Sequence, residues 1–361
     1  MNNSIIVGMS GGVDSAVAAY QLIKLGYNVE AVFMKNWDEK DTEFCSAVED
    51  YKDALQVCDK LNITLRTVDF TEQYWDNVFK DFLKECELGR TPNPDIMCNI
   101  KIKFHEFLYY CLELGAQKIA TGHYANINKI NDEYQILRGT DDNKDQSYFL
   151  YGLNQNQISK SLFPIGGLKK EKLRKIAHKI GLHNYNKKDS TGICFIGERN
   201  YKQFLKKFLI PKPGLISTIN NEIIGEHEGL MYYTHGQRQG IGIGGGFGKT
   251  NNPWYVLEKN IAENILVVGQ GRDNPGLYHK VLTASNVNWI SGFFPKKTSQ
   301  VTAKIRYRGL DYNCDIKKSE GESIIVKFEE YQFAISPGQS IVFYDKEICL
   351  GGAIIDSRSR S

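Results

Sequence analysis

No part of the chain approaches the roughly 18 uninterrupted apolar residues that a membrane-spanning helix needs, which excludes a helical membrane protein. Met1-Asn2-Asn3-Ser4 passes directly into the first apolar run without a signal or transit segment, so the expected location is the cytoplasm. Nor is there a C-x-x-C pair. The eight cysteines are Cys45, Cys58, Cys86, Cys98, Cys111, Cys194, Cys314 and Cys349, and their spacing removes the main support for a zinc ribbon or a thioredoxin-like centre. Charge of one sign is not in excess. With 45 basic and 42 acidic residues the formal net charge is +3, too small to mark a nucleic-acid binder by itself, although a basic face segregated on the surface remains open. No internal repeat is present.

What the chain does have is enough apolar material to bury a core: 42% of its 361 residues are hydrophobic and 24% are charged, the balance of a globular protein with two or three compact units. Short β-branched runs, Ile5-Ile6-Val7, Val29 to Phe33, Leu65 to Val68 and Lys118 to Ala120, alternate with helical patterns at Ser15 to Leu25, Ser46 to Leu61 and Phe104 to Leu114. That alternation predicts an α/β fold with a Rossmann-like parallel sheet covered on both faces. Tyr124 to Ile130 and Tyr134 to Arg138 read as a hairpin, and Lys169 to Ile180 as a basic amphipathic helix. Near Pro211-Lys212-Pro213-Gly214 the helices give way to short strands. The expected division is a nucleotide-binding and catalytic domain over 1–205, a small β-rich domain over 206–273 and a C-terminal β-barrel over 274–361. Ser357 to Ser361 has too little apolar content to pack and is expected to fray.

The strongest local signal is Gly8-Met9-Ser10-Gly11-Gly12-Val13-Asp14-Ser15, set between the first strand and a helix opening Ala16-Val17-Ala18-Ala19. Glycines let backbone approach a phosphate, and the following helix aims unpaired N–H groups at the anion. Asp14 is out of place in a purely anionic site, a conflict that Mg2+ between carboxylate and phosphate resolves. No Gly-Lys-Ser/Thr follows, so this is not a Walker A loop, and the dinucleotide pattern G-x-G-x-x-G is absent. The segment resembles the S-G-G-x-D-S loop of the ATP pyrophosphatase (PP-loop) family, which implies ATP binding and adenylation of a carbonyl oxygen with release of pyrophosphate. Met34 and Gly122 fall at carboxyl ends of predicted strands, where such sheets take ligands, and are candidates for adenine contacts.

Cys98 lies in Gly89-Arg90-Thr91-Pro92-Asn93-Pro94-Asp95-Ile96-Met97-Cys98-Asn99, ahead of Lys101 and Lys103. A thiol near a helix N-terminus with lysines close by has its thiolate favoured, which suits a nucleophile. Cys194 lies in the Gly-flanked Asp189 to Arg199 and alone would read as a core residue. Taken with Ala120 to Ala125, Lys144-Asp145-Gln146-Ser147, Thr234 to Arg238, Ile305 to Arg308 and Ser336 to Gln339, these stretches resemble the bacterial tRNA-specific 2-thiouridylase family over essentially the whole chain.

That resemblance implies Cys98 as nucleophile, Cys194 as persulfide carrier, and Asn93, Pro94 and Asp95 against the target base. It further implies tRNA contacts at His123, Lys144, Asp145, Gln146, Arg306, Tyr307 and Gln339. The implied partners are the anticodon loop of Lys, Glu and Gln tRNAs, whose wobble uridine is modified, and a persulfide-donating carrier protein or cysteine desulfurase. Arg306-Tyr307-Arg308 also suits RNA on its own chemistry, because guanidinium and phenol planes stack on bases. The Gly240 to Gly248 stretch reads as a hairpin rather than a second phosphate loop. Another PP-loop ligase, a nucleotide-responsive RNA-binding protein without chemistry, and an iron–sulfur cluster held by Asp95 and the two thiols stay open as alternatives.

Overall fold

The computed structural model describes residues 3–37, 46–189, 201–243, 252–295, 301–319 and 321–361. The N-terminal sheet is parallel, as expected, in the order Leu65–Asp69, Asn28–Lys35, Ser4–Gly8, Lys118–Ala120, Ser161–Leu162. Side chains alternate across a strand, and Ser4–Gly8 uses this fully. Ile5 and Val7 enter one core with Val13, Ala16 to Ala19 and Leu22, while Ile6 enters the opposite core with Phe79, Ile102 and Phe107. The small residues of helix Val13–Lys24 allow it to lie close on the sheet. Chain order reverses beside Ser4–Gly8, so the ligand crevice of this sheet lies between its carboxyl end and that of Lys118–Ala120.

The helix expected over Phe104 to Leu114 begins instead at Pro94. Asn93 accepts from the Asp95 N–H at 3.2 Å and Pro94 takes the first helical position, a start that needs no Pro N–H. The chain then runs helically through Pro94–Cys98, a widened stretch at Asn99–Glu106 and Phe107–Glu113.

The central unit is a four-stranded sheet in the order Trp254–Asn260, Ile265–Gln270, Gly214–Thr218, Ile223–His227. The C-terminal barrel closes with six strands, because Tyr278–Trp289 pairs both with Ile324–Phe333 and with Ile348–Ser359. The predicted hairpin forms as Ala125–Ile130 and Glu133–Arg138, turning on Asn131 and Asp132 with φ of 49° and 66°. Two positive φ values suit a tight two-residue hairpin turn. Its second strand pairs with the barrel through Ile348 to Leu137 and Cys349 to Ile136, so the first and last domains share one sheet.

The terminal segment corrects the expectation of a frayed tail. Ser357 and Arg358 pair with Thr283 and Leu282, and the Arg358 guanidinium donates to the carbonyls of Ile335 at 2.6 Å and Leu257 at 2.5 Å and to Glu258 at 2.8 Å. Polar composition suggested no packing, but these polar groups satisfy backbone carbonyls at the join of two domains. Arg358→Ala should therefore cost about 2 kcal/mol in urea unfolding, since carbonyls lose a charged donor; an unchanged midpoint would restore the frayed reading. No helix among the described residues is long and apolar enough to cross a membrane.

Candidate active site

The Gly8–Ser15 loop leaves the sheet at the crevice. Gly12 stands before the helix without a side-chain cap, so first-turn N–H groups have no intrahelical acceptor and remain for an anion. Ser15 Oγ donates to the Gly12 carbonyl at 3.0 Å and accepts from the Ser10 N–H at 3.2 Å, and Ser10 and Ser15 hydroxyls lie 3.2 Å apart. Gly11 has φ of 75°, and a Cβ there would meet the Asp50 carbonyl at 2.2 Å. A Cβ on Gly122 would meet the Ser15 nitrogen at 2.8 Å, which places Gly122 directly over the start of the helix. Met34 approaches the other flank, with its methyl 3.3 Å from where Gly8 would carry a Cβ. Met9 and Val13 are buried supports.

Asp14 is the point at which sequence reasoning was incomplete. Both its oxygens accept from Lys170 Nζ, at 2.7 and 2.8 Å, and Oδ1 also accepts from the Tyr124 hydroxyl at 2.7 Å. Lys170 in turn lies 2.6 Å from Asp189 Oδ1, and Lys144 and Arg174 share that second carboxylate. Asn184, another residue not singled out, donates to the Gly11 carbonyl at 2.9 Å. No local signal identified Lys170: it opens the basic helix Lys170–Lys179 and reads there as a solvated face. Among the described residues no group of three or more His, Cys, Asp or Glu side chains could hold a metal ion.

Cys98 closes the first helical segment after Asn93 and is 2% exposed. The stretch ahead of it is held by both other domains. Thr91 N–H donates to the Pro337 carbonyl at 2.9 Å, and Gln339 Nε2 donates to the Thr91 carbonyl at 2.6 Å. Thr91 and Thr234 hydroxyls lie 3.3 Å apart, and Lys259 donates to the Gly89 carbonyl at 2.7 Å. Gly338, with φ of 90°, is required at this contact because a Cβ would meet the Thr91 nitrogen at 2.8 Å. Cys194 lies outside the described residues.

Gln146 Oε1 accepts from the Tyr124 N–H at 2.9 Å, and the Phe149 N–H donates to the Gln146 carbonyl at 3.0 Å. Asn99, next to Cys98, donates to the Phe149 carbonyl at 3.0 Å, and the Phe149 ring lies 4.4 Å from that of Tyr307. A continuous run of contacts thus links Asp14, Tyr124, Gln146, Phe149 and the Cys98 helix. Asp145 is buried, accepting from Gly139 and from both the N–H and the hydroxyl of Ser147. Arg306 donates to the carbonyls of His235 and Ala334 and to Ser336. His123 bonds Thr121 at 2.7 Å between Phe104 and Phe163; burial, and then the charge of Lys103, hold its pKa well below the ordinary value.

Comparison with known proteins agrees with this layout. Residues 3–198 match the tRNA methyl transferase HUP domain, 202–270 the tRNA methyl transferase PRC-barrel domain and 279–355 the aminomethyltransferase beta-barrel domain. The tRNA-specific 2-thiouridylase MnmA of Hydrogenovibrio crunogenus is 53% identical, over 100% of this chain and 96% of that protein. The chain belongs to the tRNA-specific 2-thiouridylase family. A second 2-thiouridylase, from Shewanella piezotolerans, is 54% identical over 99% of this chain and 96% of its own length. Solved structures align in part: a 4-thiouridine synthetase–RNA complex with bound ATP gives a TM-score of 0.35 at 20% identity, over 56% of this chain and 49% of that one.

The cation cluster carries a pH signature. Burial alone would raise the Asp189 carboxyl, but hydrogen bonds from Lys170 and Lys144 and their charges prevail and lower it from 3.8 to about 2. A carboxyl depressed in the folded state contributes stability that is present above its unfolded pKa of about 4 and is lost as pH falls through its folded one. Urea titrations should show wild type losing stability faster than Asp189→Asn between those two values; parallel curves would remove this linkage.

Proposed function

We propose that this chain makes 2-thiouridine in tRNA, using ATP to adenylate the C2 oxygen of the wobble uridine and a cysteine persulfide to replace it with sulfur. The observation that carries the reading is the unbroken contact path from the ATP loop to the Cys98 helix, in a chain 53% identical over its full length to a tRNA-specific 2-thiouridylase. Methyl transfer, the word in two of the matching domain descriptions, has no use for a triphosphate loop.

Oxide is a poor leaving group from a uracil carbonyl, whereas AMP attached to that oxygen departs readily. Attack of the carbonyl oxygen on the α-phosphorus releases pyrophosphate. The terminal sulfur of a Cys194 persulfide then attacks C2 as AMP leaves, and the Cys98 thiolate takes the remaining Cys194 sulfur into a disulfide. Alternatively, Cys98 first frees that terminal sulfur as hydrosulfide. Asn93, Pro94 and Asp95, which begin the Cys98 helix, are suited to hold an everted base there. At 2% exposure the Cys98 thiol meets a base or a sulfur after part of its surroundings moves, in keeping with a rearrangement on tRNA binding.

ATP fits the residues present: an uncapped helix start, two hydroxyls and three crowded glycines. Mg2+ would ride on the triphosphate, with Asp14 as its protein carboxylate once Lys170 releases that side chain, and would neutralise phosphate charge. His123, Lys144, Asp145, Gln146, Arg306, Tyr307 and Gln339 are the proposed tRNA contacts, of which His123 and Asp145 are buried. The sulfur arrives from a persulfide-bearing carrier or desulfurase, and the site of action is the cytoplasm.

Unmodified tRNA, Mg-ATP and a persulfide source test the reading together. Cys98→Ser and Cys194→Ser should each abolish 2-thiouridine while ATP binding persists; thiolation near the wild-type rate in either would end the two-cysteine scheme. Pyrophosphate without thiouridine in the wild type would favour another PP-loop ligase. Affinity for tRNA should fall with a negative slope of log K against log salt through counterion release, and a flat line would exclude a phosphate-tracking surface.

A further inference from the structure

The proposed reaction draws on the first domain and the barrel, yet the central unit commits a buried lysine to the cysteine stretch. Lys259, near the end of strand Trp254–Asn260, is 6% exposed. Its ammonium donates to the Gly89 carbonyl at 2.7 Å, and among the described residues that is its one hydrogen bond. Enclosing a lysine costs hydration and side-chain freedom, so for stability alone an apolar residue of similar volume serves as well. What the ammonium holds is the backbone that leads into the stretch. Gly89 follows helix Lys80–Glu87 with φ of 72°, and a Cβ there would meet Ile261 Cδ1 at 2.4 Å. Lys259 and Ile261 thus clasp this glycine from one strand end, and Thr91, Pro92 and the Asn93 cap follow it in the chain. The charged and titratable groups around Lys259 are Cys86 of helix Lys80–Glu87, Glu258 of its own strand, Arg358 of the last strand and His235. The Cys86 thiol in turn lies 3.5 Å from the Tyr201 hydroxyl.

We propose that Lys259 is a positioning residue for adenylation: its bond to the Gly89 carbonyl sets where Asn93, Pro94 and Asp95 hold the target base, so the central unit acts on a reaction whose atoms it does not touch. This rests on adenylation of an everted base at that stretch. Burial lowers the Lys259 pKa from 10.5 to about 8, against the upward pull of Cys86 and Glu258. Burial pushes Cys86 up to about 11 and His235 down to about 4, and hydrogen bonds from His235 and Arg358 hold Glu258 at about 2 in spite of burial. Lys259 is therefore the member of this cluster that changes charge near pH 8. A charged donor bonds a carbonyl roughly twice as strongly as a neutral one, so the hold on Gly89 loosens as Lys259 gives up its proton. Stability moves the other way. A lysine whose folded pKa lies below its unfolded one penalises the fold while both states carry the proton, and the fold gains stability as pH rises from the folded value to the unfolded one. One titration thus strengthens the fold while it weakens the positioning.

The test is single-turnover pyrophosphate release by the full chain with saturating unmodified tRNA and Mg-ATP, in wild type and Lys259→Met, at pH values on both sides of 8. At the acid end Lys259→Met should be slower by about 10²-fold, the effect of misplacing reacting groups by about 1 Å, with affinities for tRNA and ATP unchanged. The ratio of the two rates should shrink with rising pH through a midpoint of about 8, and dividing one rate by the other cancels every titration they share. A lysine that only supported the fold would leave the ratio constant or widen it, because wild type gains stability over that range. Lys259→Arg keeps its charge above the midpoint, so the wild-type rate should fall relative to this variant also; if Lys259→Met does not fold, that second ratio decides. A ratio that does not shrink in folded protein, or a Lys259→Met rate within a few-fold of wild type at the acid end, overturns the proposal. Wild type that releases no pyrophosphate at any pH would instead defeat the adenylation reading, and this proposal with it.

Discussion

A carboxylate inside a triphosphate loop is the constraint around which the site is organised. Asp14 sits in the first turn of helix Val13–Lys24, where N–H groups attract anions, and it would turn away the anion they attract. The chain compensates with charge brought from a distance: Lys170 reaches Asp14 across 156 positions, and Asp189 anchors Lys170 together with Lys144 and Arg174. Much of the remaining architecture keeps those elements in place. Helices Val13–Lys24 and Lys170–Lys179 lie in one core on the Ile5 and Val7 side of the sheet, so the two charges meet because their helices are neighbours.

The parts of this arrangement that were legible in the sequence are the local ones. Gly8 to Ser15 announces itself because phosphate binding needs successive glycines and hydroxyls within one turn. Lys170 does not, because nothing within a few residues distinguishes a lysine that reaches inward from one that faces solvent. The same physics separates the hairpin, whose Asn131-Asp132 turn is read from two residues, from its attachment to Ile348 and Cys349, which depends on long-range pairing. Arg358 is the sharpest case. Its segment is polar and terminal, and only the fold shows the carbonyls of Leu257 and Ile335 that its guanidinium meets.

Gln339, Arg306 and Asp145 entered as RNA contacts through resemblance, and each has an intramolecular partner: Thr91, Ala334 and Ser147 respectively. A side chain that holds the Thr91 carbonyl also fixes the entry to Asn93-Pro94-Asp95. Asparagine, glutamine and arginine at domain joins are well suited to this, since their several donors allow one to be kept and another presented.

The Cys98 segment draws these threads into one physical requirement. An exposed cysteine is open to oxidation, and burial at 2% exposure protects Cys98 from it. Burial also prevents reaction, so the proposed role of Cys98 requires that its thiol be uncovered. The anchors of the preceding stretch suit that purpose. Gly89 is tied to the central domain and Thr91 to both the central domain and the barrel, so a ligand bridging those domains acts on the approach to Cys98 from two sides. On the proposed reading, an RNA that touches the barrel and the sheet together would act on both anchors. Coupling thiol access to the nucleic acid rather than to the nucleotide would keep sulfur from being spent before a base is present.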